Sequence, residues 1–177
     1  PHDVGTGGPL PIADVGGASS SFWQILSTLT PDTIILVDPA YQQHRESDPR
    51  YSIVASSVEQ LAAHGRHGWL DIITCISVIE HVEEIRKFFR ACHMLLKPGG
   101  LLILTTDYWD CEGRDTAHFH WMRQRIYNAE LIKKLLQDLR ELGYKSFGQS
   151  EWTYGGPQVY DYSVCSLAVT KKGSTTP

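Results

Sequence analysis

Apolar and polar positions alternate along the chain in two kinds of block. Residues 11–15 (PIADV), 33–37 (TIILV), 51–55 (YSIVA), 70–77 (LDIITCIS) and 101–106 (LLILTT) are short runs of apolar or β-branched residues. The longest of them, 70–77 and 101–106, have the pattern of central strands covered on both faces. Between the strands the apolar positions change to helical spacing. Phe22, Trp23, Ile25, Leu26 and Leu29 share one predicted face after three serines placed as N-caps. Val58–His64 predicts a brief helix, and Ile85, Phe88, Phe89, Cys92 and Leu95 line a helix over 83–96. Leu131, Ile132, Leu135, Leu136 and Leu139 line another over 128–142, with Gly143 closing it. Lys97-Pro98-Gly99-Gly100 stops the third helix and turns into the next strand, while residues 41–50 are polar and predict a loop or short helix.

Strand and helix therefore alternate through five strands, which predicts a doubly wound, mostly parallel α/β sheet. Two further strands, near 144–147 and 162–170, have no helix between them and are expected to pair as an antiparallel hairpin, completing seven strands. One domain over 11–172 accounts for this pattern. The ends, 1–10 and 173–177, have the composition of flexible termini, and the first strand starts too early for a helical cap before it.

The stretch 10–40 carries the clearest chemistry. A strand ending at Asp14-Val15 breaks into Gly16-Gly17-Ala18, a helix follows, and the second strand ends on Asp38 about twenty residues after the turn. In such a βαβ unit the backbone N–H groups of the turn cradle one end of a nucleotide and the carboxylate bonds a ribose diol. A glycine turn that only packs a helix closely on its strand is the plainer alternative.

Composition narrows the partners. With 42% apolar and 20% charged residues and a formal charge of −4, the 177 residues form an ordinary globular composition without the broad basic face of a nucleic-acid binder. No apolar run reaches membrane-spanning length and no signal peptide opens the chain, so a cytoplasmic location is expected, without a membrane partner. Cys75, Cys92 and Cys165 are expected as small buried hydrophobes in a reducing compartment. Cys111, His118 and His120 fit no common zinc spacing, and no metal is expected.

Three motifs occur in order: Asp14-Val15-Gly16-Gly17-Ala18, Ile35-Leu36-Val37-Asp38, and Ser77-Val78-Ile79-Glu80-His81-Val82 followed by Leu95-Leu96-Lys97-Pro98-Gly99-Gly100. On these the chain resembles the class I S-adenosylmethionine-dependent methyltransferases, from Leu10 to Lys172. The resemblance implies a Rossmann-like fold and S-adenosyl-L-methionine as cofactor. It also implies that Asp14, Gly16, Gly17 and Ala18 surround the methionine part, that Asp38 with Pro39 beside it holds the ribose, and that Ser56, Ser57 and Val58 lie along the adenine. Ser77 and Val78 would face the sulfonium. The family often carries an acid where Ser57 stands; losing that acceptor weakens cofactor binding by about 1 kcal/mol.

Methyl transfer needs positioning, and a base only where the acceptor must lose a proton. Glu80 and His81 follow the fourth strand, where open α/β sheets bind ligands, and His81 is either that base or a residue packing the next helix. Tyr108, Trp109, His118, His120 and Trp121 fall in a long connection, 107–126, and suit a small-molecule acceptor such as an aromatic or a glycan. Thr106-Asp107-Tyr108-Trp109 and Arg125-Ile126-Tyr127 also resemble bacterial methyltransferases found among envelope-glycan genes. Trp152, Tyr154 and Tyr160 are expected to pack the hairpin. Two other classes stay open: a binding module that keeps the cofactor fold without turnover, and an NAD-dependent oxidoreductase, whose fingerprint would want glycine where Ala18 and Ser21 stand.

Overall fold

The computed structural model describes residues 10–17, 22–29, 34–43, 50–109, 125–148 and 163–173. Seven strands form a single sheet: β1 (Ile12–Val15), β2 (Ile34–Val37), β3 (Tyr51–Val54), β4 (Leu70–Ile76), β5 (Leu96–Tyr108), β6 (Tyr144–Ser146) and β7 (Ser163–Lys171). Their spatial order is β3-β2-β1-β4-β5-β7-β6. The first five run parallel, with Asp14 beside Leu36 on one side and Thr74 on the other. Strand β7 inserts antiparallel between β5 and β6. The chain order reverses direction at β1 and β4, and in an open sheet the crevice at such a switch point is where ligands bind.

The helices are α1 (Phe22–Leu29), α2 (Val58–His64), α3 (Ile85–Leu95) and α4 (Ala129–Glu141). The apolar stripes of α3 and α4 bury as their spacing predicts: Phe88, Phe89, Cys92 and Leu95 on α3 and Ile132, Leu135 and Leu139 on α4 join one core with Ala13, Val15, Ile73 and Leu102. A second, smaller core on the opposite face holds Ile34, Leu36 and Tyr41 with Trp23 and Tyr51 packed against it. Asn128 caps α4 by accepting from the Leu131 N–H, and Gly143 follows the helix with φ +94°.

Three local expectations change. Ile25 is 57% exposed, because Trp23, two residues away on α1, is the side chain that packs on β2 and β3, and a two-residue step on a helix turns by about 200°. Helix α3 starts at Ile85, after a separate 3-10 turn over Ile79–His81. Strand β5 begins at Leu96, not Leu101: Leu96 pairs with Leu70, and the register shifts between Leu70 and Ile72 to absorb the Lys97–Gly100 segment. The predicted N-caps of α1, the acceptor-side residues His118, His120 and Trp121, the metal candidate Cys111, the hairpin residues Trp152, Tyr154 and Tyr160, and both predicted flexible ends but for Leu10 and Gly173 lie outside the described residues.

Candidate functional site

The site is built where β1, β2 and β4 end. Strand β1 stops at Val15, and Gly16 turns the chain with φ +79° while its N–H donates to the Val37 carbonyl at 2.9 Å. A Cβ at Gly16 would overlap Val78 Cγ2, and one at Gly17 would overlap Asp14 Oδ2. Both positions therefore require glycine for space, and Gly16 requires it for its backbone as well.

Asp14 lies under this turn, 1% exposed. Its Oδ1 accepts from the Thr74 hydroxyl at 2.7 Å, whereas Oδ2 is buried with no hydrogen-bond partner among the described residues. Burial first, opposed by the Thr74 hydrogen bond, and then the nearby Asp38 charge set the carboxyl's pKa, which is raised from its ordinary 3.8 to about 6. An orphaned carboxylate oxygen at this depth is complementary to a ligand ammonium group.

Asp38 ends β2. Its N–H donates to the Val54 carbonyl at 3.1 Å and its Oδ1 accepts from the Ala40 N–H at 2.8 Å, so the carboxylate is held by the turn that follows. In that turn the Tyr41 ring is buried, and burial together with the Asp14 and Asp38 charges pushes its phenol up to about 12. Tyr41 was not anticipated from sequence, where it falls at the head of a polar run.

A cleft of about 420 Å³ opens above these strand ends, within the range of small-molecule sites. Of the residues singled out by sequence, Gly16, Asp38, Pro39, Ser57, Val58, Ser77, Val78 and His81 line it. Asp14, Gly17 and Ser56 do not line it, and Ala18 is outside the described residues. Glu80 and Tyr108 are buried and do not line the cleft. Val15, Val37, Glu59, Val82 and Phe88 do, although none of them was expected in the site from sequence. Their signal was position: Val15 and Val37 are the last residues of their strands, and Glu59 stands in the first turn of α2.

Two local devices shape the cleft walls. Ser57 caps α2 in a reciprocal arrangement, its hydroxyl accepting from the Gln60 N–H while the Gln60 side chain accepts from the Ser57 N–H. The Ser57 oxygen is thus engaged by its own helix, and Glu59 is the acid at this end. Ser77, at the end of β4, has φ 53° and its N–H donates to Thr105 Oγ1 at 2.9 Å. A serine in this left-handed region carries a cost of about 1–2 kcal/mol, the kind of strain that collects at functional sites.

A profile of the methyltransferase-domain family matches residues 9–145. The chain belongs to the class I S-adenosylmethionine-dependent methyltransferases. Among curated relatives, a ubiquinone biosynthesis O-methyltransferase of Xanthomonas oryzae pv. oryzae is 38% identical over 134 residues, covering 76% of this chain and 50% of the relative. The chain thus spans about half the length of the curated relatives it matches. Two solved structures share the fold at 17% identity. A 16S rRNA (adenine(1408)-N(1))-methyltransferase from Catenulisporales acidiphilia, a W203A mutant with cosubstrate SAM, has a TM-score of 0.65 over 95% of this chain and 88% of that one. The [4+2]-cyclase SpnF has a TM-score of 0.72 over 95% and 76%.

The family's cofactor is S-adenosylmethionine, and this chain's residues fit it on their own evidence. A turn whose two glycines have no space for a Cβ beside Val78 and Asp14, a buried Asp14 oxygen lacking a partner among the described residues and the Asp38 carboxylate at the next strand end are the groups that would hold its amino and ribose parts. No helix among the described residues is long and apolar enough to cross a membrane.

Proposed function

We propose that this cleft binds S-adenosylmethionine and that the chain transfers its methyl group to an oxygen or nitrogen of a small molecule or glycan, oxygen being favoured. The observation that carries the reading is a buried Asp14 oxygen with no partner among the described residues, close enough to feel the charge of Asp38, the carboxylate that lines the cleft. Asp14 pairs with the cofactor's ammonium, and Asp38 accepts from the ribose hydroxyls. Gly16 and Gly17 leave room for the methionine part, with Ala18 next in sequence assigned to it by the family motif, Pro39 flanks the ribose, and Ser56 and Val58 lie along the adenine. Glu59, rather than the engaged Ser57, is the acceptor for the adenine amino group. The bound sulfonium supplies an electrophilic methyl group, and Ser77 and Val78 orient that end of the cleft. His81, exposed on the cleft wall, is the base for an acceptor that must lose a proton.

The preference for oxygen rests on the O-methyltransferase relatives, and a charge of −4 favours a small acceptor over RNA. A cytoplasmic location and a domain over 11–172 belong to the same reading, supported by the free thiols of Cys75, Cys92 and Cys165. Calorimetry with S-adenosylhomocysteine and with NAD tests it, followed by transfer of a labelled methyl group to phenolic and glycan acceptors. Binding of S-adenosylhomocysteine with turnover is expected. Binding without turnover on any acceptor would favour a binding module, and preference for NAD would refute the assignment.

A further inference from the structure

The segment Ser77–Val82 forms one wall of the cleft through Ser77, Val78, His81 and Val82, yet between them lies a carboxylate that the cleft does not use. Glu80 is 3% exposed. Its Oε2 accepts from the Thr106 hydroxyl at 3.3 Å, and its backbone carbonyl accepts from the Arg125 N–H at 2.9 Å. The neighbouring Ile79 carbonyl accepts from the Tyr127 hydroxyl at 3.5 Å. Arg125 and Tyr127 belong to the stem by which the chain returns to the sheet before α4. There the Tyr127 N–H donates to Asp107 and the Trp109 N–H donates to Tyr127, at 2.9 and 2.8 Å. One short segment is thereby tied to β5 through the Glu80 side chain and to the stem through its backbone carbonyls, while Ser77, Val78, His81 and Val82 line the cleft.

A buried carboxylate is a costly way to fill space that a leucine or methionine would fill favourably. The cost is visible: burial and the Asp107 charge, opposed by hydrogen bonds from the residue's own backbone and Thr106, push the Glu80 carboxyl up to about 7. We propose that Glu80 is a positioning residue for the cofactor cleft, fixing the Ser77–Val82 wall against β5 through the hydrogen bond its carboxylate accepts from Thr106. The proposal rests on the reading of the cleft given above. Glu80 acts through His81 and Val78 and does not itself touch the cofactor.

The test compares S-adenosylhomocysteine affinity in the wild type, Glu80→Ala, Glu80→Gln, Thr106→Val and, as a control of destabilisation remote from the cleft, Leu139→Ala. Glu80→Ala is expected to weaken binding about tenfold and Thr106→Val about threefold. Glu80→Gln keeps the shape and the Thr106 contact and is expected to bind within about twofold of wild type, while Leu139→Ala binds normally once folded. Unchanged affinity in folded Glu80→Ala, or an equal loss in Leu139→Ala, overturns the proposal. If Glu80→Ala does not fold, Thr106→Val decides: wild-type affinity there overturns it. The His81 ring resonances give a readout without ligand, expected to move in Thr106→Val and to stay in place in Leu139→Ala. Should the wild type not bind S-adenosylhomocysteine, the cofactor reading fails, and the proposal then stands or falls on whether those resonances move.

Discussion

Gly16→Ala is the sharpest perturbation of the turn on which the site depends. A residue other than glycine at φ +79° costs about 1–2 kcal/mol from the backbone alone. The new Cβ would also overlap Val78 Cγ2 and approach Cγ1 to 3.0 Å, and forcing extra atoms into packed surroundings costs about 1–3 kcal/mol more. The two contributions separate in a double-mutant cycle. Val78→Ala removes the methyl groups that collide and leaves only its Cβ, at 3.3 Å, so in that background Gly16→Ala retains mainly its backbone cost. Urea unfolding followed by circular dichroism is expected to give a loss of roughly 2–5 kcal/mol for Gly16→Ala alone, and a loss smaller by about 1–3 kcal/mol in the Val78→Ala background. A single variant within about 0.5 kcal/mol of wild type would refute the steric argument. Equal losses in both backgrounds would refute the contact with Val78.

Three further outcomes are expected. Asp38→Ala should weaken S-adenosylhomocysteine binding by about 10- to 100-fold, the worth of a charge-assisted hydrogen-bond pair, with the circular dichroism spectrum unchanged; retained affinity would remove the ribose assignment. Asp14 has a folded-state pKa of about 6 above an ordinary 3.8, so the native state holds the proton more tightly and stability falls as pH rises from about 4 to 6. The decrease is about 3 kcal/mol in order of magnitude, and Glu80, raised to about 7, extends it towards neutrality. Asp14→Asn should flatten the part below pH 6 and stabilise the ligand-free protein above it; an unchanged slope in urea unfolding against pH would contradict the burial argument. Cys75 and Cys92 are fully buried, with thiol pKa values pushed upward by desolvation, so peptide mapping after iodoacetamide treatment should find both unlabelled until denaturant is added.

The sheet was legible in the sequence because its central strands are covered on both faces, leaving uninterrupted apolar runs at 70–77 and 101–106 with no competing helical period. The same physics made Asp14 and Asp38 conspicuous, as charges at the ends of buried strands. Glu80 was legible as a motif residue but not as a buried one. Its neighbours His81 and Glu83 are exposed, and only the hydroxyl of Thr106, 26 residues away, marks the interior position. The start of β5 was hidden for a related reason: Pro98, Gly99 and Gly100 read locally as a stop, and the pairing of Leu96 with Leu70 is a cross-sheet event. Glu59 escaped because a charge in the first turn of a helix is ordinarily a solvated dipole partner. Its place in the cleft follows from the Ser57–Gln60 cap, which sets where α2 begins.

The most direct test of the cofactor assignment is a crystal structure with S-adenosylhomocysteine. The ligand is expected across the carboxyl ends of β1, β2 and β4, with its ammonium at Asp14 Oδ2 and its ribose diol at Asp38. A nucleoside bound elsewhere, or a cleft that stays empty at saturating ligand, would contradict the account.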